Sequence, residues 1–160
     1  MIAYPVLTLA STAESRHQCA TSDLFVESLS AGIAAGTAGI NYILHNRGTV
    51  SCTLSGFPVL SALDAHGKII KAVKFKRMQG IWGVMDAESP SSVEVAPGSK
   101  AWFQIVYSDG NGLEDRSSCH TITGLRIQLP GNKEPLVDHT AFAACSSVNI
   151  TSIRPPPYGN

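Results

Sequence analysis

The residues Val93-Glu94-Val95-Ala96-Pro97-Gly98-Ser99-Lys100-Ala101-Trp102-Phe103-Gln104-Ile105-Val106-Tyr107 read as two strands joined by a tight turn. The apolar–polar–apolar run Val93-Glu94-Val95 meets Ala96-Pro97-Gly98, where proline presets φ and glycine accepts a positive one. The chain then resumes as a longer strand over residues 100–107. In it Ala101, Phe103, Ile105 and Tyr107 fall on one face by period two, with Gln104 on the other.

Similar patterns continue in both directions. Downstream, Leu125-Arg126-Ile127-Gln128-Leu129 alternates cleanly and stops at Pro130-Gly131-Asn132. Val148-Asn149-Ile150-Thr151-Ser152-Ile153 is expected to be the last strand. Upstream, strands are expected at Asp23-Leu24-Phe25-Val26-Glu27-Ser28-Leu29, at Gly39-Ile40-Asn41-Tyr42-Ile43-Leu44-His45, at Cys52-Thr53-Leu54-Ser55-Gly56 and at Val59-Leu60-Ser61-Ala62-Leu63-Asp64. Another is expected over residues 68–76, where Lys71, Lys74 and Lys76 are interspersed with Ile69, Ile70, Val73 and Phe75. Asn46-Arg47-Gly48 and Asp64-Ala65-His66-Gly67 supply turns. The small-residue run 30–38, with Gly32 and Gly36, is too short for a membrane helix and reads as a loop or strand bend. Seven or more short strands, with no helical period anywhere, predict an all-β sandwich of two antiparallel sheets.

At 160 residues the chain has the usual size of one domain and buries about 68–70% of its unfolded surface. The domain is expected over residues 17–154, followed by a stiff Pro-rich tail at 155–160. Charged residues make up only 15%, against a usual ~25%. Twelve basic and twelve acidic residues cancel, so the chain has no electrostatic footprint for nucleic acid or an anionic membrane. No apolar run is long enough to span a bilayer. Residues 1–16 are set apart, because Ile2-Ala3-Tyr4-Pro5-Val6-Leu7-Thr8-Leu9-Ala10 resembles the back half of a signal sequence without its basic start. They are expected to be a signal remnant behind an added Met or a flexible N-terminus. Either is compatible with a lipid anchor upstream.

Cys19, Cys52, Cys119 and Cys145 are even in number and widely spaced, and none forms a CxxC or has a histidine at zinc-finger spacing. Four cysteines allow three pairings. The expected one is Cys19–Cys52 with Cys119–Cys145, one disulfide in each half of the chain. Each closes a loop of roughly thirty residues, worth about 3.5–4 kcal/mol in the chain-entropy account. Together with the signal-like start they point to secretion or the cell envelope.

A more specific cluster is Asn46-x-Gly48, then Cys52-Thr53-Leu54-x-Gly56-Phe57-Pro58-Val59, then Asp64-x-x-Gly67. With Val95-x-Pro97-Gly98-x-x-Ala101 and Cys119…Leu125…Pro130-Gly131…Cys145 following in order, it resembles domain of unknown function 4232, abundant in actinobacterial secreted proteins and lipoproteins. The resemblance implies an immunoglobulin-like fold, export and paired cysteines, and no chemistry. Phe57 stands where that family commonly has Tyr, and Tyr107 near where it often has Trp. Gly56-Phe57-Pro58 itself reads as a tight corner with Phe57 buried.

The chain carries no nucleophile elbow, zincin motif, phosphate loop or dinucleotide fingerprint, so no catalytic residue and no cofactor is expected. His17, His45, His66, His120 and His139 read as solvated. Asp109, Asn111, Glu114 and Asp115 offer hard oxygen ligands of the kind calcium takes, but Asp-Gly and Asn-Gly are also hairpin-turn chemistry, and the turn is preferred. Asn149-Ile150-Thr151 matches a glycosylation sequon, which a bacterial protein leaves bare. Met78, Trp82 and Met85 sit between strands as contact anchors or, preferably, with Trp82 folded back as a lid on one end of the core. With the basic Lys74, Lys76 and Arg77 they form the expected binding surface for a protein or glycan at the cell surface. The alternatives are a carbohydrate-binding module stacking sugars on Trp82 and Tyr107, and a secreted enzyme built on Asp109, Glu114, Asp115 and a histidine.

Overall fold

A computed structural model of the chain describes residues 16–82, 92–111 and 116–156. Among them are eleven strands and two three-residue 3₁₀ turns, Thr21–Asp23 and Arg116–Ser118, with no α-helix. The longest hairpin joins β1 (Leu24–Ala34) to β2 (Thr37–Asn46) through Ala35 and Gly36, at φ 50° and 82°. Two positive φ values give the mirror-image turn whose twist matches the flanking strands. The run 30–38 is therefore the tip of a hairpin. The expected bend is also present, as a register shift between Ser30 and Gly32.

Chain order continues with β3 (Cys52–Leu54), β4 (Val59–Leu63), β5 (Lys74–Arg77), β6 (Val93–Val95), β7 (Lys100–Ser108), β8 (Cys119–Ile122), β9 (Gly124–Gln128), β10 (Leu136–Asp138) and β11 (Phe142–Ile150). Six of these form one sheet in the order β1-β2-β7-β11-β5, with β8 also on β11. The rest form a three-stranded sheet, β10-β9-β4, and a separate pair, β3-β6. Two antiparallel sheets were the expectation; there are three, and β5 runs parallel to β11. The cause lies in residues 68–77, which do not form one strand. Ile69 bridges Leu63 and the Ile70 N–H donates to the Ala62 carbonyl, holding this end on β4. After a turn at residues 71–72 the chain crosses to the large sheet as β5. A strand arriving by such a crossover, with a long connection to its neighbour, can pair in parallel.

One apolar cluster joins all three sheets. Leu44, Phe103, Ile105 and Val148 come from the large sheet, Leu60, Ala62, Leu125 and Ile127 from the three-stranded one, and Leu54 and Val95 from the pair. Tyr42 and Phe103 stack in it with ring centroids 5.1 Å apart. The Tyr42 hydroxyl is buried and meets no hydrogen-bond partner among the described residues. Burial, with Asp138 and Tyr107 nearby, pushes its ionisation far up. Because an unsatisfied buried hydroxyl is a cost, Tyr42→Phe is expected to leave stability unchanged or raise it by about 1 kcal/mol in urea denaturation. A clear loss would mean that the hydroxyl has a partner.

Both disulfides pair as expected, Cys19 with Cys52 and Cys119 with Cys145, and no cysteine is free. The first ties residues 17–19 to β3, reinforced by bonds from the Cys19 N–H to the Thr53 carbonyl and from the Thr53 N–H to His17. The second sits inside the β8–β11 ladder, where the two cysteines are directly opposite.

The back of the large sheet is covered too. All of residues 101–107 are buried, including Trp102, Gln104 and Val106, which face away from the core. Residues 78–82 cross this back face, while residues 151–154 prolong β11 alongside β7, with the Thr151 N–H on the Gln104 carbonyl and Trp102 and Arg154 exchanging backbone bonds. The Gln104 amide accepts from the Trp82 N–H at 2.8 Å and donates to Asn41 at 2.9 Å. The Trp102 indole N–H donates to the Pro155 carbonyl at 2.5 Å, and Trp102 and Arg154 form a β-bridge. The Trp82 ring lies on Gly32 and Gly39, whose missing side chains make room for it. A Cβ at Gly39 would stand 2.9 Å from its Cε3. Trp82 is thus a lid, as expected, but on the back of the sheet and not on an end of the core. Trp82→Ala is expected to cost about 2 kcal/mol, less than full burial would give, and Gly39→Val to lose a similar amount by ejecting the ring. Unchanged melting of both variants would remove the indole from the packing.

Candidate functional site

The expected binding surface is divided by the fold. Met85 lies outside the described residues. Trp82 and Met78 turn toward the sheet, and the Met78 N–H donates to Ile150 at 2.9 Å. Lys74, Lys76 and Arg77 remain together and exposed on β5, at the edge of the large sheet. Register explains how they diverge. Lys74 and Lys76 lie beside Ser147 and Asn149 on the back face, while Phe75 and Arg77 lie beside the buried Val148 and Ile150. Phe75 accordingly packs on the core. Arg77 places its guanidinium 4.9 Å above the Phe57 ring.

That contact corrects the expectation of a buried Phe57. The ring is half-buried, and Arg77 covers it in a cation–π arrangement. The corner itself is as expected: Gly56 has φ 76° and its carbonyl accepts from the Ile153 N–H at 2.8 Å. Phe57, Val59, Arg77, Gln128 and Pro130 line an open groove of about 510 Å³. Two distant elements of the resemblance, the Gly-Phe-Pro corner and Pro130-Gly131, therefore meet there. Glu27 and His45 hydrogen-bond at 2.9 Å, and no described carboxylate forms a salt bridge with the β5 cations.

The calcium candidate resolves as a turn in its described part. Both Asp109 oxygens are occupied by Asn111, through its backbone N–H and its side-chain amide, each at 2.9 Å. These bonds, the backbone one foremost, hold the Asp109 carboxyl below the ordinary range. Arg116 donates from Nε to the Gly110 carbonyl at 2.9 Å. Glu114 and Asp115 lie outside the described residues. Among those described, no three His, Cys, Asp or Glu side chains gather as a metal site. The enzyme alternative meets the same layout, since its Asp109 is engaged within its own turn. The histidines are spread over the N-terminal segment, β2, the turn after β4, β8 and the loop after β10.

The sugar-stacking alternative is not supported by the placement of its two rings. Tyr107 is buried on the core face against Phe142, 4.8 Å away, whereas Trp82 is on the back face. In the sequon, Asn149 is half-buried and Thr151 is fully buried, accepting from the Gln104 N–H and donating to the Ser152 carbonyl. Asp64 caps its turn by accepting from the His66 and Lys68 N–H groups at 2.8 and 2.9 Å, and the Lys68 bond foremost keeps its carboxyl below the ordinary range. Sequence reasoning missed Arg154, which is buried on the back face and donates to the Gly80 carbonyl at 3.4 Å. Desolvation lowers its guanidinium pKa. Standing last in the expected domain, directly before the prolines, it carries no sequence signal of burial.

No helix among the described residues is long and apolar enough to cross a membrane. No curated protein and no solved structure shows significant similarity to the chain. The family model described as Domain of unknown function (DUF4232) matches residues 19–154, and with nearly the whole chain covered, this protein belongs to that family.

Proposed function

We propose that this is an exported, non-catalytic domain that acts by binding, or as a structural module, at the cell envelope. The observation that carries the reading is that all four cysteines are joined in two disulfides. Such bonds persist in oxidising compartments and are rare in the cytosol. An immunoglobulin-like sandwich is the arrangement we favour, with β10-β9-β4 and β3-β6 together serving as its second layer. The single core shared by the three sheets supports it. The exposed β5 edge with Lys74, Lys76 and Arg77 is the recognition surface of this reading. Thiol trapping in the source cells tests the compartment. The expected result is that the thiols resist alkylation until reductant is added and that the domain is open to protease supplied from outside. Four alkylated thiols in untreated cells would overturn export.

A further inference from the structure

We infer that the open edge of β5 accepts an extended acidic segment of a partner protein as an added strand. This deepens the binding reading above and rests on it. On one side β5 pairs with residues 147–150 of β11; on the other, no described strand lies against it. The N–H and C=O groups along such an edge are those a peptide uses when it extends a sheet.

Charge selects the occupant. The chain is neutral as a whole, yet Lys68, Lys71, Lys74, Lys76 and Arg77, five of its twelve cations, fall within ten residues. No acidic residue occurs between Asp64 and Asp86. All five are exposed, and no described carboxylate pairs with them. Lysines on an edge repel a second copy of the same edge, which counts against a dimer through β5. For a strand bearing Asp or Glu at alternate positions, the same lysines become cross-strand partners. The groove beside Arg77 and Phe57 continues this edge, with Val59 64% exposed on its wall. It offers an apolar contact next to a fixed guanidinium, which suits a peptide carrying both kinds of side chain. A polyanion with no peptide backbone would satisfy the charge and leave the edge unused.

The test is a titration of the isotopically labelled domain, followed by amide NMR, with a short capped peptide alternating glutamate with valine and threonine. The same peptide with lysine for glutamate, and inorganic polyphosphate, serve as comparisons. The acidic peptide is expected to shift the amides of residues 74–77 and slow their hydrogen exchange, and to weaken with added salt. Lys74→Glu with Lys76→Glu should weaken binding by roughly tenfold or more while melting stays unchanged, since both side chains are exposed. The lysine peptide should not bind. Unperturbed 74–77 amides, equal binding by the double variant, or tighter binding of polyphosphate than of the peptide would overturn the inference. The experiment uses the purified domain, so its failure leaves the thiol-trapping result, and the reading of export, standing.

Discussion

Asn46→Ala is expected to lower stability by about 3 kcal/mol, although it removes only a small polar group. Asn46 is 1% exposed at the end of β2. Its Nδ2 donates to the Val95 carbonyl at 2.9 Å and to the Val50 carbonyl at 3.0 Å, and its Oδ1 accepts from the Gly48 N–H at 2.9 Å. The backbone is fixed as well, from its N–H to Ser99 and from the Gly98 N–H to its carbonyl. The side chain thus joins the turn after β2 to β6, and the backbone of the same residue holds the corner leading into β7. Truncation leaves up to three groups without partners, at about 1–3 kcal/mol for each that is buried. Asn46→Asp should be worse at neutral pH, because a carboxylate would face two carbonyl oxygens. Part of that loss should return on acidification, when the protonated acid can donate one bond. Urea midpoints measured against pH check both; a midpoint unmoved in either variant would show that Asn46 does not hold this junction.

Replacing Cys19 and Cys52 together by alanine is expected to cost about 3.5–4 kcal/mol, a large part of the ~5–15 kcal/mol that holds an ordinary domain. The two cysteines are 33 residues apart. The estimate from loop closure is an upper figure where the reduced chain keeps structure. Removing Cys119 and Cys145, 26 apart, should cost somewhat less. Their strands remain paired through four register positions of β8 and β11, whereas without its disulfide the segment at residues 17–19 is left on β3 with two backbone bonds, both at Thr53. Denaturation of the two double variants under matched conditions decides the order. Equal or reversed losses would mean that the ladder around Cys119 does not compensate.

These two sites also show what the sequence makes legible. Cysteine count and spacing, the alternation of β7 and β9, and the turns at Asn46, Asp64 and Pro97 can be read locally, because each follows from period-two burial or from turn chemistry. The tip of the β1–β2 hairpin could not be read, because Ala31, Gly32, Ala34 and Ala35 carry no polar–apolar contrast. Gly32 and Gly39 reveal their purpose only once Trp82 lies on them. The same holds for β7. Its alternation locates the core face, but Trp102, Gln104 and Val106 are buried on the other side by segments distant in sequence. β8 and β10 are too short to signal themselves and exist through their neighbours. The parallel β5–β11 pair was equally hidden, and so was the split of the expected surface, with Trp82 going to the back of the sheet while the cations stayed on its edge.

The place of β11 has a consequence for how the molecule is made. Last of the eleven strands in chain order, it is neighbour to β7, β5 and β8 at once. During synthesis β1, β2 and β7 can associate early. No described strand made before Phe142 pairs with β5 or β8, and Cys119 has no mate until Cys145 appears. Half of the large sheet is therefore expected to remain an open chain until the ribosome has passed Ile150, which is the state in which a polypeptide is threaded through a membrane channel.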